Sequence, residues 1–97
     1  MITRIFRVRV PLELHTEFEE NFLKVSVPFV KAEKGLVSVT VARPTKWELD
    51  EYVMISVWRS EADLVAFAGE NWHQAVIPQG MEKYVSSCWV HHYENFG

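Results

Sequence analysis

Cysteine and glycine are scarce in this 97-residue chain, and each scarcity excludes something. One cysteine, Cys88, rules out an internal disulfide and a cysteine-rich zinc site. Among only four glycines there is no phosphate-cradling loop and no dinucleotide-binding fingerprint. Positive charge is short too. Ten Lys and Arg face thirteen Asp and Glu, the net charge is −3, and the basic residues form no stripe that would clamp nucleic-acid phosphates. Apolar runs last a few residues, far below the roughly 20 needed to cross a bilayer. The opening Met1-Ile2-Thr3-Arg4-Ile5-Phe6-Arg7 alternates where a secretory signal would carry an apolar block. The expectation is a cytoplasmic domain with neither a nucleic-acid nor a membrane partner.

Burial material, by contrast, is plentiful. Hydrophobic residues make up 48% and aromatics 13% of the chain, which suits a packed core and not a disordered segment. The length accommodates one such core, so residues 1–97 form a single domain.

Periodicity orders the elements. Ile2 to Val10 alternates, with Ile2, Arg4, Phe6, Val8 and Val10 on one face of a strand. After Pro11 the period becomes helical through Leu14, Phe18, Phe22, Val25 and Phe29, and Pro28 predicts a kink or break near Ser26–Pro28. Gly35 ends the helical stretch. Leu36 to Arg43, with Val37, Val39 and Val41 on one face, and Tyr52 to Arg59 form a hairpin. Ser60 caps a second helix with Asp63 in its first turn. Its apolar stripe runs through Leu64, Phe67 and Ala68 towards Trp72, Ala75 and Val76, with Gly69 as an interruption. Tyr84 to Glu94 closes the chain as a strand.

The order β-α-β-β-α-β predicts an α+β, ferredoxin-like fold: a four-stranded antiparallel sheet with both helices on one face. The strands are apolar on both parities, Met54 and Trp58 as well as Val53, Ile55 and Val57. The uncovered face therefore calls for a second copy of the chain, and a homodimer packed sheet to sheet is expected.

Four stretches carry a family resemblance: the acidic helix Glu13 to Glu20 after the first strand, Glu33-Lys34-Gly35-Leu36, Val57-Trp58-Arg59-Ser60-Glu61-Ala62, and Gly69-Glu70-Asn71-Trp72-His73-Gln74-Ala75. Together they resemble the antibiotic biosynthesis monooxygenase family of dimeric α+β barrels. The resemblance implies a pocket between sheet and helices for a small aromatic or quinonoid molecule, and oxygenation without a cofactor. The haem-degrading branch carries an Asn on the first strand and a Trp and a His on the second-helix segment. The corresponding positions here are Phe6 or Arg7, Phe67 and Ile77. The quinone-forming branch is matched at Trp58, while its Asn and Tyr fall on Met54 and Leu64.

The candidate catalytic residues are His73, His91 and Arg7, a base or a cation for a substrate oxygen. The candidate ligand-binding residues are Met54, Trp58, Phe67, Asn71, Trp72 and Phe22. Each has a plainer role open to it: His73 as a surface histidine, His91 as a dimer-interface group, Arg7 as a solvent-facing strand charge, Trp58 and Trp72 as packing. His91 and His92 point to opposite faces of one strand and cannot share a metal ion, so no metal site is expected. Haem, with His73 as axial ligand, is the alternative to the cofactor-free reading. A non-catalytic ligand-binding or assembly module is the other alternative, and a pocket filled by Phe22, Phe29, Phe67 and Trp72 would mark it.

Overall fold

Strands and helices alternate in the expected order in the computed structural model, which describes residues 1–97. Strand β1 (Ile2–Arg9) lies inside the sheet between β3 (Glu51–Trp58) and β4 (Ser87–Glu94), and β2 (Leu36–Ala42) flanks β3 at the edge. Every pairing is antiparallel. The fold is ferredoxin-like α+β.

Alternation decides what each face carries. Ile2, Arg4 and Val8 of β1 and Tyr52, Met54, Ser56 and Trp58 of β3 are buried beneath the helical layer. The other parity presents Ile5, Val53, Ile55, Val57 and Trp89, all half-buried, and Tyr93, which is exposed. In β2 the expected row of three valines is broken. Leu36 and Ser38 pair with the consecutive residues Trp58 and Val57, so Val37 is the extra residue of a bulge and is exposed, while Val39 and Val41 pack on the core.

The first helical stretch is a composite: a 3-10 turn (Leu12–Leu14), α1 (His15–Asn21), a π-helical turn (Phe22–Ser26) and α2 (Val27–Lys31). Pro28 has no N–H to give to the carbonyl of Lys24, so the α ladder fails there and a wider turn precedes it. The widening changes which residues face inward. Phe18, Phe22, Ser26 and Val30 are buried, one every fourth residue. In a regular α-helix such a row would drift by about 40° per step, since 3.6 residues make a turn. The π turn takes up that drift. Val25 and Phe29, which regular spacing assigns to the core stripe, are instead 36% and 43% exposed.

Helix α3 (Glu61–Ala68) begins on Ser60, whose Oγ accepts a 3.2 Å hydrogen bond from the N–H of Asp63. It ends at Gly69, which adopts a φ of 84°. Trp72, Ala75 and Val76 therefore lie beyond the helix, in turns and irregular backbone. A 3-10 turn (Glu82–Tyr84) follows, and the last strand starts at Ser87, later than the alternation from Tyr84 suggests. Trp58 is fully buried, stacks on Phe67 with ring centroids 5.0 Å apart, and donates from Nε1 to Ser56 Oγ at 3.0 Å.

Candidate functional site

An apolar cleft remains between the sheet and the helical layer. Phe6 and Met54 line it from the strands, Phe22 and Phe29 from the first helical stretch, Phe67 from α3, and Ile77 from the segment beyond. The unfilled space at its centre is small, about 40 Å³. Its few polar neighbours include Ser26, Ser56 and Arg4.

Arg4 is the unusual member. It stands on the inward parity of β1, between Ser56 of β3 and His92 of β4 in the sheet register, and only 4% of it is exposed. Buried cations are normally matched by a carboxylate. This one is held by neutral groups: Nη1 donates to the carbonyl of Trp72 at 2.7 Å and to His92 Nε2 at 2.9 Å, and Nη2 donates to the carbonyl of Gln74 at 3.0 Å. Burial pushes its pKa down to about 10, which leaves it charged at neutral pH. Because Arg4 can only donate, His92 accepts through Nε2 and carries its proton on Nδ1. Burial, and then the charge of Arg4, lower the His92 pKa to about 4. Trp72 closes the group, its ring edge-on to His92 with centroids 4.6 Å apart.

The expected site residues divide between two faces of the sheet. Phe22, Met54 and Phe67 line the cleft. Trp58 lies under Phe67 as core, and Trp72 reaches Arg4 through its backbone carbonyl. Asn71 and His73 flank Trp72 on an exposed turn, not on a helix. Arg7 and His91 lie on the open face, away from the cleft, Arg7 opposite Trp89 and His91 opposite Ile5 in the β1–β4 register; Arg7 Nε is 3.7 Å from Glu51 Oε2. The sequence names His92 only in a rejected metal pair with His91 and does not single out Arg4. The available signal was parity: Arg4 is the one charged residue in the row Ile2, Arg4, Phe6, Val8, Val10.

The sequence profile of the antibiotic biosynthesis monooxygenases matches residues 1–79. The chain belongs to that family. Among curated proteins, none matches it in sequence. Among solved structures, it is similar to the heme-degrader MhuD from Mycobacterium tuberculosis, with two hemes bound in its active site. They share 19% identity and a TM-score of 0.74, over 98% of this chain and 95% of that one. It is similar to SnoaB, a cofactor-independent oxygenase from Streptomyces nogalater, at 17% identity and TM-score 0.70, over 97% and 91% of the two chains. A conserved protein from Methanosarcina mazei Go1 aligns at 15% identity and TM-score 0.73, over 98% and 92%. At these identities the likeness establishes the fold.

Haem does not fit the residues present. No His, Cys or Tyr lines the cleft, and His92 Nε2 is already engaged by Arg4. The free space of about 40 Å³ is far below the roughly 300–1,000 Å³ of sites for sizeable ligands.

Proposed function

We propose that this family member binds a small aromatic molecule in the cleft and oxygenates it without a cofactor. The supporting observation is Arg4, a buried guanidinium with no acidic partner at the edge of an aromatic-lined space. A fixed cation beside a phenol or an enolisable ketone favours its ionised form, because Coulomb attraction is strong where water is excluded. An ordinary phenol loses its proton near pH 10, and a guanidinium brings that down. The proton passes to solvent, with His73, on the exposed turn beside Trp72, as the proposed acceptor. The anion gives electrons to O₂, and a ring CH₂ becomes C=O, with one oxygen atom retained and the other leaving as hydroxide, which takes back the proton and departs as water. The aromatic walls hold the ring and exclude bulk water.

The small free volume requires the lining to yield before a ring enters. It also favours a second reading, a non-catalytic ligand-binding or assembly module on the same scaffold. Oxygen consumption and quinone absorbance with naphthols and anthrones, aerobic against anaerobic, separate the two. Oxygen-dependent quinone formation above the buffer rate, reduced in His73→Ala, is expected. Binding without oxygen uptake selects a ligand-binding module, and neither binding nor turnover ends the oxygenase reading and leaves an assembly module.

The partner proposed for the open sheet face is a second copy of the chain. Ile5, Val53, Ile55, Val57, Trp89 and Tyr93 make a contiguous apolar surface there, bordered by Arg7, Arg9 and Glu51, that a second copy would cover.

A further inference from the structure

The donors of Arg4 say more about the ligand than its charge does. A guanidinium has five N–H groups. Trp72 and His92 take both of those on Nη1, and Gln74 takes one on Nη2. Nε–H and one N–H of Nη2 are left, and Nε and Nη2 form one edge of the guanidinium plane. No sealed side-chain nitrogen or oxygen in the chain lacks a partner. Nε makes none of the three contacts, so it keeps some surface open, and the cleft is the space that Arg4 borders.

Two donors on one edge, next to an uncompensated charge, match a planar anion with two adjacent oxygens. A carboxylate takes such an edge through two parallel N–H···O bonds. A neutral hydroxyl uses one of the donors and leaves the charge unmet. The three contacts already present also lock the guanidinium, so little side-chain freedom is lost on binding.

We infer that the cleft's ligand carries a carboxylate, which Arg4 binds through Nε and Nη2 while the ring lies among Phe22, Phe29 and Phe67. This rests on the second reading of the cleft, an aromatic-ligand site without turnover, because a carboxylate on Arg4 leaves no unmet cation for a phenolate; it adds the chemical class of the ligand. The carboxylate supplies the counter-charge that the protein omits.

Calorimetric titration at neutral pH with 2-naphthoate and its uncharged analogues 2-naphthamide and 2-naphthylmethanol tests it. The wild-type protein should bind naphthoate at least about tenfold more tightly than either analogue, the worth of one charge-assisted pair. In Arg4→Gln that preference should shrink to about twofold or less, and Arg4→Lys, which keeps the charge without the edge, should fall between. Circular dichroism establishes that each variant is folded, and the comparison among the three ligands on wild-type protein stands without any variant. Equal binding of acid and analogues overturns the carboxylate inference and leaves an aromatic site standing. Binding of the neutral analogues in preference to the acid overturns it likewise. Binding of none of the three overturns the aromatic site and this inference together.

Discussion

The guanidinium of Arg4 donates from Nη1 to Nε2 of His92 across 2.9 Å, a bond that exists only while the imidazole is neutral. The two residues are cross-strand neighbours in the β1–β4 register, so the contact is set by backbone pairing rather than by flexible side chains.

A pH dependence follows from it. His92 titrates near 4 in the folded chain and near 6.5 when unfolded, its burial being the larger cause and Arg4 the next. Between those values the unfolded chain holds more protons, so stability falls as pH drops from about 6.5 towards 4. The expected loss is about 1–2 kcal/mol once partial solvent exposure is allowed for. Urea midpoints should fall between about pH 7 and pH 4.5 in the wild type and fall less in His92→Gln. Parallel slopes in the two proteins would remove His92 as the cause.

Trp58 is the largest fully buried side chain. Trp58→Ala removes its stack on Phe67 and strands the Ser56 hydroxyl, with an expected cost of about 3–5 kcal/mol in denaturant unfolding. Because Phe67 also lines the cleft, aromatic-ligand affinity should drop as well.

Gly35 meets the first turn of α3, where a Cβ on it would collide with Asp63. Gly35→Ala should cost about 1–3 kcal/mol. The cost should fall in an Asp63→Gly background, which clears the space and loses the bond from Ser60 Oγ to Asp63 Oδ2 but keeps the one from the backbone N–H of residue 63 to Ser60 Oγ. A double-mutant cycle reads the coupling, and strict additivity would place the cause elsewhere.

Sedimentation tests the sheet-to-sheet pairing. The wild-type chain is expected to run as a dimer at low micromolar concentration, and Ile55→Glu, placing a charge in the middle of the open face, as a monomer. A monomeric wild type would leave that face bare and remove the argument for a second copy.

The fold was largely legible because alternation and helical spacing are properties of neighbouring residues. The order of six elements, the Ser60 cap and the disruption ahead of Pro28 all follow from local chemistry. Two shifts of register were not visible: the bulge at Val37 and the π turn, each of which adds one residue to a repeat and redirects the side chains after it. The site was less legible for a different reason. Arg4, His92, Trp72 and Gln74 are far apart in the chain and meet only through strand pairing and the fold-back after Gly69. A lone strand arginine looks the same in sequence whether it faces water, as Arg7 does beside Glu51, or the core. Only its parity with Ile2, Phe6 and Val8 separates the two cases.

The π turn makes the length of the first helical stretch a fixed quantity. Deleting one residue between Phe18 and Val30 would restore ordinary winding, swing the downstream side chains by about a hundred degrees, and exchange Ser26 and Val30 for their outward neighbours. Point substitutions there alter the lining one group at a time, whereas a single-codon loss would re-aim the whole wall. Relatives that keep this cleft should therefore vary in residue type along this stretch far more readily than in residue number.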